Sequence, residues 1–366
     1  FNTSHRLRRF ILFFFGSFLG GPPNCWPRRP YSWLKVKQGC AFLTLLTDFS
    51  ICAAFFSVRA AFCFTFARGY FIITGMKISD GWKDYSIIAT GDGMKLERWG
   101  QVCLLRPDPQ VIWKSSSDLY AYPGIHAVYR RSNKGGGGWD RRKPFPEEWQ
   151  INYKDLIFKI KPMGFKHTGL FPEQAANWDC MRSLIEGERQ RFPDKKIKVL
   201  NLFAYTGGAT VACAKAGAEV THVDAAKGMV ERAGENARLS GINSGIRYII
   251  DDCAKFVARE IRRGNRYDAI IMDPPSYGRG PGGEMWKIED NLFSFVEQCA
   301  KVLAENPLFV LINSYTTGLQ PCVISNILKL TLKNFSGEVQ AYEIGLPTEE
   351  GIPLPCGNSG IFIGKR

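Results

Sequence analysis

The sequence predicts an α/β fold: a mostly parallel, doubly wound sheet over residues 166–366, with a small β-rich module ahead of it at 76–165. Three observations carry that prediction. Short apolar runs recur between residues 198 and 312 with helical stretches between them. Two of those stretches end on glycine, and the preceding segment holds strand-length runs broken by turn residues.

Residues 198–202 form a short apolar run, which predicts a buried first strand. Residues 209–216 are rich in alanine and stop at Gly217, the residue that most readily takes the left-handed turn ending a helix. Residues 219–224 make a second strand, and the helix at 227–240 again stops at a glycine, Gly241. A third strand at 247–250, a third helix at 254–263, a fourth strand at 267–272 and a fifth at 308–312 complete the alternation. Strands joined through helices imply right-handed crossovers and parallel pairing. Ligands of such sheets bind beyond the carboxyl ends of the strands.

Composition bounds the rest. The 366 residues are 45% hydrophobic and 22% charged, as expected of a globular chain with a full core. Of the formal charge of +14, residues 1–75 supply +8 through nine Lys/Arg against Asp48 alone. The mildly basic remainder suits a polyanionic partner. Eleven cysteines without a C-x-x-C pair, and only four histidines, offer no zinc-type ligand spacing, so no metal is expected. The same pattern predicts reduced thiols and an intracellular setting, cytoplasmic or organellar.

Residues 1–75 differ in composition from the rest and show no sustained periodicity. Three readings stay open: sequence read through in frame ahead of Met76, an Arg-rich leader to a mitochondrion or plastid, or a membrane anchor. Their apolar runs, 11–19 and 41–58, are short or broken by Asp48, whereas a span wants about 20 apolar residues, so a membrane partner is not expected.

Within 76–165, strands are expected at 86–89, before the Gly91-Asp92-Gly93 turn, and at 101–105. Residues 149–153 and 156–160 flank Lys154-Asp155 as a hairpin. Gly135 to Gly138, set between the basic clusters 130–134 and 141–143, predict a mobile loop able to track phosphates, or simply a solvated one.

The predicted strand ends hold the candidate site. After strand one come Asn201, Phe203, Tyr205, Thr206 and the pair Gly207-Gly208, where the backbone can approach a ligand closely and turn into a helix. This is not G-x-G-x-x-G, so a dinucleotide is not indicated. Asp224 ends strand two, placed to accept from the hydroxyls of a ribose or to cap the following helix. Asp252 and Cys253 follow strand three, where a carboxylate and a backbone N–H could meet an adenine edge or, again, cap a helix. Asp273-Pro274-Pro275-Ser276-Tyr277 follows strand four: the prolines fix the backbone and free its carbonyls, and the tyrosine offers a stacking face to a planar base.

In this order and spacing the four ends resemble the class I S-adenosylmethionine-dependent methyltransferases, and most of all the bacterial-type rRNA large-subunit methyltransferase family, whose members carry N-x-F-x-Y-T-G-G and D-P-P. The segment 168–174 is similar to that family's lead-in, and 354–357 to its tail. The resemblance covers residues 85–366. It implies a Rossmann-like, seven-stranded methyltransferase sheet, with residues 360–363 able to serve as an antiparallel seventh strand. It also implies S-adenosyl-L-methionine as cofactor, lying across Phe203 to Gly208, with Asp224 at the ribose, Asp252 at the adenine, and Phe171 and Gln174 closing the methionine side.

By the same resemblance the acceptor is a base in RNA, and the chemistry divides in two. C5 methylation of a pyrimidine needs a thiolate to add to the ring first. Family members that do so carry the Cys after strand four or five, where this chain reads 273–276 and 313–317 without one; Cys322 comes eight residues after Ser314. A nitrogen acceptor needs only positioning, here by Asp273, the Pro274 carbonyl and a stacked Tyr277. N-methylation of rRNA is therefore the expectation. C5-cytosine methylation, a protein or small-molecule acceptor, and a non-catalytic RNA-binding module remain as alternatives.

Overall fold

The computed structural model describes residues 75–132, 136–164, 166–279 and 285–366. The readings of residues 1–74, and of Asn133, Lys134 and Gly135 in the basic loop, lie outside the described residues. No helix among the described residues is long and apolar enough to cross a membrane.

From residue 76 to 160 the described chain holds β1 (Met76–Ile78), β2 (Tyr85–Gly91), β3 (Met94–Trp99), β4 (Val102–Pro107), a 3-10 turn at Leu119–Ala121, β5 (Ile125–Arg131), β6 (Gly137–Arg141), β7 (Trp149–Tyr153) and β8 (Leu156–Ile160). A 3-10 turn at Pro172–Gln174 leads into α1 (Ala175–Arg191). Alternation then begins, with β9 (Lys198–Leu202), α2 (Gly208–Lys215), β10 (Glu219–Asp224), α3 (Lys227–Leu239), β11 (Ile246–Ile250), α4 (Cys253–Arg263) and β12 (Ala269–Met272). A small hairpin of β13 (Tyr277–Arg279) and β14 (Met285–Lys287) precedes α5 (Ile288–Ala300), β15 (Phe309–Ser314), α6 (Pro321–Thr331), β16 (Gly337–Leu346) and β17 (Leu354–Gly364).

The main sheet runs β1-β16-β17-β15-β12-β9-β10-β11. Strands β15, β12, β9, β10 and β11 are parallel, and β17 is antiparallel to both its neighbours. That is the expected mostly parallel sheet with its antiparallel seventh strand. One strand is additional: β1 pairs in parallel with β16, so residues 76–78 lie in this sheet and not in the β-rich module.

Side-chain alternation along the central strands builds two cores. Val199, Ile271 and Leu311 face one side, packing with Ile185 of α1 and Val211 of α2. Leu200, Leu202, Ile270, Met272, Val310 and Ile312 face the other, with Phe256, Leu292 and Ile324 of α4, α5 and α6. The first core continues without a break into Trp99, Tyr153 and Phe158, which anchors the module to the sheet's helical layer.

Two departures from expectation have plain causes. β3 was hidden by its charges, Lys95, Glu97 and Arg98. Glu97 is fully buried, gripped by Arg106 through Nε at 2.5 Å and a second nitrogen at 2.8 Å, with the Tyr85 hydroxyl donating at 2.6 Å. The glycine run is also more regular than a loose loop. Gly137 and Gly138 belong to β6 and pair with Arg131 and Arg130. A Cβ on Gly137 would lie 2.3 Å from the Arg130 carbonyl oxygen and 2.7 Å from the Tyr129 ring, so glycine there admits close packing within the hairpin.

Candidate active site

The strand ends at β9, β10, β11 and β12 meet over a cleft of about 440 Å³. Phe203, Tyr205, Asp224, Asp252, Cys253, Asp273, Pro274 and Pro275 line it, with Phe171 from the lead-in segment. Past Phe171 and Tyr205 it narrows into a recess of about 60 Å³ lined by Gln174, Asn201, Thr206, Gly208 and Asn313. Asp273 lines both.

The loop after β9 is strained. Phe203 and Tyr205 both take left-handed conformations, at φ 54° and 50°, which cost on the order of 1–3 kcal/mol each for a side chain of this kind. What holds them is specific. The Tyr205 N–H donates to one Asp224 carboxylate oxygen at 2.8 Å, and the Phe203 N–H donates to Cys253 Sγ at 3.3 Å. The other Asp224 oxygen accepts from the Ala226 N–H at 2.9 Å, so this carboxylate ties the loop to the start of α3 and still lines the cleft.

Asp252 caps α4 by accepting from the Lys255 N–H at 2.9 Å, which is the capping alternative realised, and it lines the cleft as well. Burial pushes the Cys253 thiol well up, so it sits here as an inert, protonated side chain. Asn201 spends its amide on Thr210 Oγ1 at 2.9 Å, and Thr206 donates to the Gly169 carbonyl at 2.6 Å, pinning the lead-in against the loop.

The glycine pair serves packing. A Cβ on Gly207 would lie 2.8 Å from that of Ala233, and one on Gly208 would lie 2.6 Å from the Trp178 ring. Gly207 does not line the cleft; Gly208 lines the recess. The close approach expected of a ligand is thus made, at Gly207, by α3.

Tyr277 also departs from expectation. Ser276 and Gly278 line the cleft, and because neighbours on a strand alternate, Tyr277 between them points away. It is half exposed, with its hydroxyl 3.2 Å from Met285 Sδ. The aromatic that the hairpin presents to the cleft is Trp286, whose indole N–H donates to the Pro275 carbonyl at 2.7 Å and whose ring lies 5.4 Å from that of Phe203. Pro275's carbonyl is therefore already used.

Asp273 is the group with the most unusual chemistry. Withdrawal from water pushes its carboxyl up to about 6, against the pull of the Asn313 amide, which donates to it at 3.0 Å. Asn313 is held in turn by the Ser359 hydroxyl at 2.8 Å, and Ser359 accepts from Asn177 at 3.0 Å. Asn177 also donates to Gln174 at 2.9 Å, and Gln174 donates to the Tyr315 hydroxyl at 2.9 Å. Tyr315 then packs its ring 5.4 Å from Phe171. One buried amide thus braces both the acid and the aromatic wall of the cleft. Asn177, Asn313, Tyr315 and Ser359 were not expected from the sequence, because each is brought in by tertiary contact from α1, β15, the loop after β15, or β17.

The cofactor that the resemblance implies has a flat purine, a ribose diol and a charged amino-acid end. The described residues fit it: apolar Phe203, Ala225, Ala254 and Pro274 beside the carboxyls of Asp224, Asp252 and Asp273 in the wide part, and beyond it a small recess where Gln174, Asn201, Thr206 and Asn313 stand among mostly apolar walls. Among the described residues no His/Cys/Asp/Glu group is arranged to hold a metal.

The comparisons agree. The family model described as S-adenosylmethionine-dependent methyltransferase matches residues 116–288. The crystal structure of a SAM-dependent methyltransferase from Agrobacterium tumefaciens superposes with a TM-score of 0.73 at 30% identity, over 83% of this chain and 99% of that one. Ribosomal RNA large subunit methyltransferase K/L of Allochromatium vinosum is 33% identical over 164 residues, which is 44% of this chain and 21% of that protein. Ribosomal RNA large subunit methyltransferase I of Aeromonas hydrophila is 33% identical over 112 residues, 30% of this chain and 26% of that protein. The chain therefore spans about a quarter of the length of these two relatives. Sheet order, cleft and sequence matches converge: the chain belongs to the S-adenosylmethionine-dependent methyltransferase family.

Proposed function

We propose that this chain transfers a methyl group from S-adenosylmethionine to a nitrogen of a base in large-subunit rRNA, without a covalent thiol intermediate. The observation that carries this reading is Asp273, a desolvated carboxyl at the tip of β12, oriented by Asn313 and set beside Pro274 at the mouth of the same cleft as Asp224 and Asp252.

Bound in this cleft, the cofactor supplies an electrophilic methyl on its sulfonium. The chain's own work is to hold and orient. Asp224 and Asp252 have carboxylate oxygens at the cleft for a diol and an adenine amino group; Phe171, Gln174 and Thr206 close the opposite end. Asp273, ionised above pH of about 6, and the Pro274 carbonyl accept the protons of an acceptor amino group, which turns the nitrogen lone pair toward the methyl. Trp286 or Tyr315 replaces Tyr277 as the stacking face for a base taken out of its stack. Among the described residues burial pushes up both the Cys253 thiol at the cleft and the Cys356 thiol of the adjoining cavity, which supports the nitrogen route over the C5 route.

Residues 79–165, with β1 left to the main sheet, serve in this reading as an RNA-binding module beside a catalytic domain at 166–366. The support is the β5–β6 hairpin, where Arg131 is exposed. Much of its other charge is engaged. Arg130 pairs with Asp140 at 3.1 Å, Arg141 lies 4.5 Å from the Phe145 ring, and Arg142 donates to the Tyr120 carbonyl at 2.6 Å. The names of the two ribosomal RNA methyltransferases point the same way.

The test is incubation of the full chain with methyl-labelled S-adenosylmethionine and protein-free large-subunit rRNA, followed by nucleoside mass spectrometry. An N-methylated nucleoside is expected. A C5-methylpyrimidine would replace the nitrogen route, and label appearing only in protein or small molecules would remove RNA as the acceptor.

A further inference from the structure

A second cavity, of about 300 Å³, opens behind the aromatic wall of the cleft. His167, Phe171 and Tyr315 line both spaces, so the two are separated only by these rings. Its far side comes from the β-rich module, with Lys95, Arg106, Asp108 and Gln110, and its floor from Lys166, Pro172 and Glu173.

Three cations line this chamber, Lys95, Arg106 and Lys166, together with the carboxyls of Asp108 and Glu173, and burial holds the Glu173 carboxyl above the usual carboxylate range. Arg106 is committed to Glu97, and Lys95 to Asp108 at 3.0 Å. Lys166 makes no ion pair among the described residues. Burial pulls its ammonium below the usual lysine range, and Lys95, Arg106 and Arg131 add to this against the opposing pull of Asp108. A half-buried ammonium among like charges is a place where an anion gains more than it would on an open surface. Arg131 connects this spot to the exposed β5–β6 hairpin. That hairpin is fastened to the segment leading to Lys166 by the Trp139 indole N–H donating to the Met163 carbonyl at 2.7 Å. A strand of alternating bases and phosphates running along the hairpin would thus arrive at the chamber mouth.

We propose that this chamber receives the acceptor nucleotide, with Lys166 as the ligand of its phosphate and the Phe171–Tyr315 wall turning its base toward Asp273. The inference rests on the nucleic-acid reading above and assigns the site within it. Lysine suits the task as a compact point charge on a phosphate. The neutral His167, which burial and nearby cations hold at about 4, adds a polar edge without adding charge.

The test compares the full-length wild type with Lys166→Ala and Lys166→Arg. Binding of protein-free large-subunit rRNA is measured against salt, with KM and kcat for transfer, and with the affinity for S-adenosylmethionine as control. Lys166→Ala is expected to shallow the slope of log K on log salt by about 0.7–0.9, the value of one phosphate contact. It should raise KM about tenfold with kcat within about threefold, and leave cofactor affinity unchanged; Lys166→Arg should recover most of the loss. An alanine variant with the wild-type slope and KM overturns the proposal. Should the wild type methylate no RNA at all, the functional reading fails separately, and inorganic phosphate decides the chamber. Thermal protection of wild type that Lys166→Ala lacks upholds an anion site, and equal or absent protection in both removes it.

Discussion

Asn313 donates from Nδ2 to Asp273 Oδ1 at 3.0 Å, and the two residues end adjacent parallel strands, β15 and β12. The bond favours the ionised carboxylate that burial opposes. A hydrogen bond to a charged group contributes about 1.5–3 kcal/mol, which corresponds to roughly one to two pH units. Asn313→Leu is therefore expected to move the acid limb of the pH–rate profile, near 6 in the wild type, upward by about one unit or more. Single-turnover methyl transfer across pH 5–9 checks this. An unmoved acid limb would mean that Asp273 does not govern the rate.

The same raised carboxyl predicts a pH-dependent stability. In the unfolded chain an aspartate titrates near 4, and in the fold Asp273 titrates at about 6. Between those values the folded state holds more proton, so stability falls as pH rises through the window and the full cost is present above it. Asp273→Asn removes that cost. It should be more stable than wild type by about 2–3 kcal/mol at pH 7–8, and indistinguishable near pH 4, in urea unfolding at several pH values. The same variant should lose methyl transfer by at least a hundredfold while binding S-adenosylmethionine within a few fold. A stability gap that widens toward acid pH would reverse the sign and sink the argument.

Strand alternation separates two aromatics that sequence alone could not tell apart. Tyr277 faces out and Trp286 faces the cleft. Tyr277→Ala should keep kcat/KM for rRNA within about threefold. Trp286→Ala removes a ring packed on Phe203 and Phe295, and should cut it by tenfold or more, since stacking on a base contributes about 1–3 kcal/mol. Steady-state kinetics on the two variants decides, and equal losses would return Tyr277 to the site.

The parallel sheet and the line of strand-end acids were legible because they obey local rules. Buried strands are short and apolar, helices stop at Gly217 and Gly241, and ligand-facing acids follow strands. The remainder depended on packing. β3 was obscured because Glu97 is charged yet fully buried, and what makes that tolerable comes from packing: Arg106, nine residues on, and the Tyr85 hydroxyl. β1 is three residues long and becomes a strand only through β16. Asn177, Asn313 and Ser359 lie up to 182 residues apart and carry no motif, yet together they fix the orientation of Asp273. Tyr277 was misplaced because a dipeptide motif says nothing of which side of a hairpin its next residue takes.

Gly207 supplies the last test, because two penalties coincide there. Its φ of 83° is left-handed, and a new Cβ would press on Ala233 at 2.8 Å, where α2 and α3 pack. The left-handed conformation costs an alanine about 1–2 kcal/mol, and overpacking typically costs a further 1–3 kcal/mol. Gly207→Ala should thus lose about 2–5 kcal/mol of stability in denaturant unfolding. Paired with Ala233→Gly, which empties the contact, it should recover the packing part and keep the backbone part, so the double variant should sit about 1–2 kcal/mol below Ala233→Gly alone. Because Gly207 stands behind the loop and not in the cleft, folded Gly207→Ala should bind S-adenosylmethionine within about tenfold of wild type. A stable variant with abolished cofactor affinity would instead put Gly207 against the ligand, as the sequence first suggested.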